Sequence, residues 1–319
     1  MSRNVLVLLS AYNGGNKIIR QVESIILQEE VNVSLFIRDD GSDIDNINIL
    51  RQLEKKYPEK IFCIYGANLG FKQSFMELIY MAFPNFDYYA FSDQDDIWFS
   101  DKLISCIKLM ESDIKENQIN KEGNVKRAQS NRCKLAHCNC ISVDKKLRLR
   151  SEQEKRIPCP PNHKMAISTE FFQGCGMVWD KKLMELIQTY RPKNNNISHD
   201  YWVGLLGYWI GQVYFCKDPK FYHIRYENNE SMDGDVKKGR LKRLKNFITG
   251  DVIYMNPVQD LLEGYTNYMS EEDKVFLKTL SNYQHSIKEK FRILTDWEFR
   301  KPSMMATMLL KLAVAMNRF

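Results

Sequence analysis

Along the first hundred residues the apolar pattern alternates between short continuous runs and helical spacing. Val5 to Leu9 is continuously apolar, the pattern of a buried strand, and Ser10-Ala11-Tyr12-Asn13-Gly14-Gly15 breaks it with turn residues. Ile18, Ile19, Val22, Ile25 and Ile26 then recur at helical spacing. Val33 to Ile37 predicts a second strand, ending in Arg38-Asp39-Asp40-Gly41-Ser42-Asp43, and a helix with Ile47, Leu50 and Leu53 inward follows until Tyr57-Pro58. Ile61 to Tyr65 predicts a third strand, and Asn68-Leu69-Gly70 turns into a helix carrying Phe71, Phe75, Leu78 and Ile79. Tyr88 to Ser92 predicts a fourth strand, and a helix begins at Asp101. Strand–helix alternation of this kind predicts an α/β fold with a mainly parallel central sheet flanked by helices. The polar loops at the strand ends should then share one edge, bringing Tyr12-Asn13, Asp39-Asp40 and Asp93 to Asp96 into one cleft.

The second half is less regular. Ser112 to Arg132 is polar and loosely patterned, Leu135 to Val143 alternates as a strand does, and Asp144 to Lys164 is basic and proline-bearing, as in a loop. Phe171 to Trp179 predicts a strand interrupted by Gly174 and Gly176, read either as a bulge or as a place of close approach by a backbone or ligand. Ser198-His199-Asp200 opens an apolar helix, with Ser198 or Asp200 as a candidate N-cap. After Pro219 the composition shifts towards a basic run, Lys237 to Lys245, which suits either a solvated helix face or contact with anionic lipid. Ser270-Glu271-Glu272-Asp273 has the form of a helix start. Met304 to Met316 is apolar around Lys311 and, at about 13 residues, too short to span a bilayer. It suits a core helix or one lying in a membrane interface.

At 319 residues with 44% hydrophobic positions the chain can bury a sizeable core. The expected organisation is a strand–helix domain over 1–235, in two halves over about 1–100 and about 130–235, then a helical extension over 236–319. A net charge of +6 permits attraction to anionic lipid or phosphorylated substrate, and no nucleic-acid partner is expected. The start, Met1-Ser2-Arg3-Asn4, leads straight into a strand, so no export signal is expected and the cysteines should be reduced in the cytoplasm. Cys133, His137, Cys138 and Cys140 lack the paired spacing of structural zinc sites. Neither the dinucleotide fingerprint nor the P-loop is present.

The chemistry concentrates in Ser92-Asp93-Gln94-Asp95-Asp96-Ile97-Trp98, where an apolar strand ends in three carboxylates within four residues. Such crowded carboxylates repel unless a cation is present, and Mg²⁺ or Mn²⁺ suits oxygen ligands shared with a diphosphate. The alternative is a solvated acidic turn.

Leu9-Ser10-Ala11-Tyr12-Asn13-Gly14, Arg38-Asp39-Asp40-Gly41-Ser42, Asn68-Leu69-Gly70, the Ser92 to Trp98 stretch, Gln173-Gly174-Cys175 and His199-Asp200 occur in that order from Val5 to Ser231. Together they resemble the family 2 glycosyltransferases of GT-A fold, and among them the bacterial rhamnosyltransferases of surface-polysaccharide assembly. The resemblance implies an inverting transfer of a sugar from a nucleotide-sugar donor, L-rhamnose from dTDP-L-rhamnose, to a lipid-linked glycan of a capsule, O-antigen or cell-wall polysaccharide. The alternatives are a glucosyl- or galactosyltransferase using a UDP-sugar, and a non-catalytic protein that keeps the fold. It further implies a nucleotide-sugar site of Ala11, Tyr12, Asn13, Asp39, Asp40, Gly70, Asp93 and Gln94, and Mn²⁺ or Mg²⁺ held by Asp95 and Asp93, with Asp96 nearby. Gly174, Cys175, Trp98 and His199 would form the acceptor subsite and Asp200 would be the general base. Peripheral contact with the inner face of the plasma membrane would follow from a lipid-linked acceptor. One departure stands out: where relatives carry a metal-reaching histidine before Asn-Asn-x-Ser, Tyr226 stands here, so that His223 or Glu227 substitutes or the cation keeps only Asp95, diphosphate and water.

Overall fold

The computed structural model describes residues 3–116, 132–150, 162–169, 173–226 and 257–319. Glu227, the Asn228-Asn229-Glu230-Ser231 stretch, Phe171-Phe172 and the basic run from Lys237 to Lys245 lie outside the described residues.

The predicted alternation forms as strands and helices in chain order: β1 Asn4–Ala11, α1 Lys17–Ile26, β2 Asn32–Asp39, α2 Ile44–Lys56, β3 Ile61–Tyr65, α3 Phe71–Met81 and β4 Tyr88–Ser92. Then come β5 Ile97–Trp98, α4 Lys102–Glu116, β6 Cys133–Asp144, α5 His163–Ser168, β7 Met177–Asp180, α6 Lys181–Gln188, α7 His199–Ile210 and β8 Gly211–Arg225. The remaining helices are α8 Val258–Tyr265, α9 Glu271–Asn282, α10 Ile287–Thr295 and α11 Met304–Ala315. The eight strands make one sheet in the order β3-β2-β1-β4-β7-β6-β8-β5. β1, β2, β3 and β4 are mutually parallel, β7 runs antiparallel between β4 and β6, and β5 runs antiparallel to β8.

β1 is buried on both faces from Val5 to Leu9, which is why the sequence there is continuously apolar rather than alternating. Because β2, β1 and β4 run parallel in close register, Ala11, Asp39 and Ser92 finish at the same edge. That edge is the place where an open α/β sheet presents its loops to a ligand.

One local expectation differs from what forms. The glycine-interrupted strand is a 3-10 turn, Gly174–Gly176, leading into β7. A Cβ at Gly176 would stand 2.9 Å from the carbonyl oxygen of Cys138, and one at Gly174 would stand 2.8 Å from Nε2 of His199, so close approach is what the glycines allow. β8 runs through Pro219 to Arg225. Pro219 sits opposite Asn139 at a register shift, where a missing ladder N–H is tolerated.

The chain forms two compact units: Met1–Pro158 with Phe172–Tyr190 and Ser198–Arg225, and Cys159–Phe171 with Arg191–Ile197 and Tyr226–Phe319. The first holds the sheet. The second is helical and packs Phe299 against Phe276 (centroids 5.8 Å apart) and Phe319 (5.3 Å). Ser270 caps α9, accepting from the Asp273 N–H at 3.1 Å while its hydroxyl donates to the Asp273 carboxylate at 2.8 Å, as its sequence predicts.

Candidate active site

The loops at the carboxyl edge of the sheet are tied to one another by polar side chains. The carboxamide of Gln94 makes two bonds to the backbone of one residue: it accepts from the Tyr12 N–H and donates to the Tyr12 carbonyl, each at 3.0 Å. Ser42 Oγ accepts from the Asn13 N–H at 2.9 Å, and Asn13 Oδ1 accepts from the Asp43 N–H at 3.0 Å. Residues 82 positions apart, Tyr12 and Gln94, thus behave as one wall. The Tyr12 ring on that wall is half exposed.

Asp39 and Asp40 are adjacent in sequence and differ in what they do. Asp40 is buried and pairs with the Arg38 guanidinium. Its two oxygens also accept from the Leu69 N–H at 2.8 Å and the Gly70 N–H at 2.9 Å. Arg38 in turn donates to Ser74 Oγ at 2.9 Å and the Ala67 carbonyl at 3.0 Å. Expected as a nucleotide contact, Asp40 has its oxygens committed to holding the Ala67–Gly70 loop. One oxygen of Asp39 accepts from the Gly41 and Ser42 N–H groups at 3.2 and 3.1 Å. The other is buried with no hydrogen-bond partner. A buried orphan acceptor is costly unless something donates to it, so Asp39 is the acid of this pair that suits a ligand.

The acidic loop gathers ligand-type atoms. Asp93, Asp96, Cys175 and His223 each place one such atom within 4.8 Å of the others. Asp95, expected as a ligand, stands outside this set of four, close enough to feel the charges of Asp96 and His223. Burial, then Asp96 and Asp95, push the Asp93 carboxyl up to about 7, and burial followed by Asp96 pushes Asp95 up to about 6. Asp96 Oδ1 bonds His223 Nδ1 at 3.0 Å and accepts from the Ile224 N–H at 3.3 Å, while its Oδ2 is buried without a partner. Burial works against the imidazolium, but the hydrogen bond and charge of Asp96 outweigh it and His223 is raised. The residues therefore fit a divalent cation: carboxylates held above their ordinary range by burial and mutual repulsion, an orphaned carboxylate oxygen, and a histidine oriented by a buried acid.

On the other side of Asp93 lies the Gly174–Gly176 turn. Cys175 is buried and its thiol bonds the Asp93 carboxylate. A Cβ at Gly174 would meet Asp200 Cβ at 3.4 Å. One turn thus touches both the acidic cluster and Asp200. Asp200 lies inside the first turn of α7, with Ser198 at the N-cap position, so it is not the cap. His199 is buried, stacked on Phe75 at 3.9 Å and edge-on to Phe91 at 4.6 Å, and burial lowers its pKa to about 4. Trp98 is buried too, with the Lys102 ammonium 3.0 Å from its ring centroid. Expected to line an acceptor subsite, both side chains are buried and offer no open face. Lys102, fully buried with no hydrogen-bond partner and lowered by burial to about 8, carried no sequence signal beyond its place in the first turn of α4. The Asp96–His223 and Gln94–Tyr12 pairings were equally invisible, because each joins loops distant in sequence.

Comparison with known proteins agrees with this geometry. The Glycosyl transferase family 2 profile matches residues 6–173, more than half of the chain. A dTDP-rhamnosyl transferase, RfbG of Shigella flexneri, is 39% identical over 102 residues, which are 31% of this chain and 35% of that protein. An uncharacterized glycosyltransferase of Nostoc sp. is 29% identical over 108 residues, 34% of this chain and 33% of that one. The match spans about a third of the length of these relatives. Among solved structures, S. aureus TarS 1–349 superposes with a TM-score of 0.50 at 13% identity, covering 93% of this chain and 76% of TarS. The same fragment in complex with UDP-GlcNAc gives a TM-score of 0.50 at 12% identity, covering 100% of this chain and 93% of that one. These structures share the GT-A fold with this chain. The chain belongs to glycosyl transferase family 2.

Proposed function

We propose that this protein is an inverting, metal-dependent glycosyltransferase that moves L-rhamnose from dTDP-L-rhamnose onto a lipid-linked glycan during surface-polysaccharide assembly. The observation that supports the reading is that the Gly174–Gly176 turn carries Cys175 among the ligand-type atoms of Asp93, Asp96 and His223 while Gly174 lies beside the Cβ of Asp200. An inverting transfer needs those two acidic functions side by side, one at the diphosphate and one at the attacking hydroxyl.

In this reading Tyr12 offers its ring to the base, the free oxygen of Asp39 accepts from the base or ribose, and Ala11, Asn13 and Gly70 close the loops around the nucleotide. Asp93, Asp95 and His223 would hold Mn²⁺ or Mg²⁺, with Asp96 fixing the His223 ring. A divalent cation bound there would neutralise charge on the departing diphosphate. Asp200 takes the proton of the acceptor hydroxyl as its oxygen bonds to the anomeric carbon and the bond from that carbon to the diphosphate breaks. Such a base contributes about 10²–10⁴-fold. The domain organisation is read as a catalytic domain over about 1–235 and a helical extension over 236–319.

Rhamnose is supported by the identity to RfbG over part of the chain. Calorimetric titration with dTDP-L-rhamnose, UDP-glucose and UDP-galactose, with Mn²⁺ and with EDTA, tests it. Metal-dependent binding of dTDP-L-rhamnose alone supports the donor. Preference for a UDP-sugar keeps the enzyme class and overturns the rhamnose reading. No binding of any donor favours a non-catalytic scaffold that keeps the fold.

A further inference from the structure

Helix α11 is apolar on both faces: Leu310, Ala313 and Val314 are buried, and its exposed side is apolar too. Its sequence, Met304 to Ala315, contains only two polar side chains, Thr307 and Lys311. Both are half-buried and spend their donors on backbone carbonyls rather than on solvent. Thr307 Oγ1 donates to the carbonyls of Lys301 at 3.1 Å and Ser303 at 2.9 Å, and Lys311 Nζ donates to the carbonyls of Ile293 at 2.6 Å and Asp296 at 2.9 Å. The outward residues are Met304, Met305, Met308 and Leu312, exposed by 82%, 74%, 66% and 46%, with Met316 just beyond at 45%. At about 3.6 residues per turn these positions fall on a single arc of roughly 120°. A helix face in water ordinarily carries its charged and polar residues outward. Here the arc that faces out carries none.

The surroundings continue the pattern. α10, which precedes α11 in the same helical unit, exposes Ile287 and Phe291, and between the two helices Trp297 is 80% exposed with the Arg300 guanidinium 5.5 Å from its ring centroid. Lys288 and Arg292 stand exposed beside Ile287 and Phe291 on α10. From Ile287 to Phe319 seven lysines and arginines face three carboxylates in the sequence. Apolar side chains, an interfacial tryptophan and a cationic border are the composition of a helix lying at a bilayer surface.

We propose that the outer arc of α11, with Ile287, Phe291 and Trp297, seats in the headgroup–acyl boundary of an anionic lipid bilayer, with Lys288, Arg292 and Arg300 against the phosphates. At 12 residues α11 is about 18 Å long, short of the roughly 20 residues that span a bilayer, so it lies in the plane. No described helix is long and apolar enough to cross a membrane. A lipid surface fits better than a second copy of the chain. A two-fold contact would set the same cationic border against itself, whereas anionic headgroups complement it. The surface stands apart from the transfer reaction proposed above and would operate whatever the donor.

The test is sedimentation of the full chain with vesicles of phosphatidylglycerol and phosphatidylcholine, and with vesicles of phosphatidylcholine alone. Binding to the anionic vesicles is expected, weakening as salt rises. Met308→Gln with Leu312→Gln should reduce it at least about tenfold, since apolar burial drives insertion. Lys288→Gln with Arg292→Gln should reduce it about fivefold per charge removed, on the anionic vesicles only. All four positions are exposed, so melting temperature and nucleotide-sugar binding should be unchanged in both variants, which separates this surface from the donor site. Failure of the wild-type chain to bind anionic vesicles would overturn the proposal. So would unaltered binding by the Met308 and Leu312 variant, or a dimer in sedimentation velocity that the same two substitutions dissolve.

Discussion

Replacing Asp40 by asparagine should damage stability and leave nucleotide recognition nearly intact. The side chains of Arg38 and Asp40 are 6% and 2% exposed, and the carboxylate also receives two backbone N–H groups. Asparagine keeps the shape but removes the charge, stranding a buried guanidinium. Its NH₂ group also faces an N–H that needs an acceptor. Breaking one side of a buried pair costs about 3–5 kcal/mol. For a folded unit of this size each kcal/mol lowers Tm by about 2–4 °C, so a fall of about 6–20 °C is expected by circular dichroism. Well below that transition, calorimetry should find the affinity for a nucleoside diphosphate within about threefold of wild type, because Asp40 is buried and both its oxygens hold the Leu69–Gly70 backbone. If Asp40 instead touched the nucleotide, losing a charged hydrogen bond of about 1.5–3 kcal/mol would weaken binding by about 10- to 150-fold. An unchanged Tm together with a tenfold or greater loss of affinity would refute the structural role.

Three further outcomes follow from the site. Asp96→Asn should raise the Kd for Mn²⁺ by about 10- to 100-fold through a misoriented His223 ring, and His223→Gln should match it; unchanged Mn²⁺ titrations in Asp96→Asn would remove the orienting role. Asp93 holds its proton up to about 7 when folded, against an ordinary value of 3.8, so its ionisation opposes folding increasingly as pH rises between those values. Asp93→Asn should therefore gain Tm relative to wild type from pH 5 to pH 8 without divalent cation, and a difference that shrinks with pH would contradict the sign. Gln94→Ala should weaken nucleotide binding equally with and without metal, since it frees the Tyr12 backbone rather than removing a ligand; a loss seen only with metal would place Gln94 at the cation.

What could be read from the sequence was what local periodicity encodes. β1, β2 and β4 announced themselves as continuous apolar runs because both faces of a central parallel strand are covered, and the loops after them were placed correctly at one edge. β7 and β5 were harder. β5 has two residues, too few for a period, and β7 takes its place from pairing with β4 and β6, which no local pattern reveals. Chemistry-bearing residues divided the same way. The acids could be found as residues, but not their commitments: Asp39 and Asp40 look alike in sequence, yet Arg38 and the Leu69 and Gly70 N–H groups engage only Asp40. His223 drew notice through an apparent substitution nearby, yet its partner, Asp96, lies 127 positions away and is identified by geometry alone. α11 read equally as core or as interfacial, and the commitment of Thr307 and Lys311 to backbone carbonyls leaves its exposed side apolar.

The proposed division of labour meets its most direct trial in the Asp200→Asn chain, followed by release of nucleoside diphosphate from dTDP-L-rhamnose with an acceptor glycan, alongside calorimetry of donor binding. Removal of the proton acceptor predicts a fall in turnover of about 10²–10⁴-fold with donor affinity and its metal dependence unchanged. Turnover near the wild-type value in Asp200→Asn would contradict the base assignment, and with it the pairing of acid functions across the Gly174–Gly176 turn.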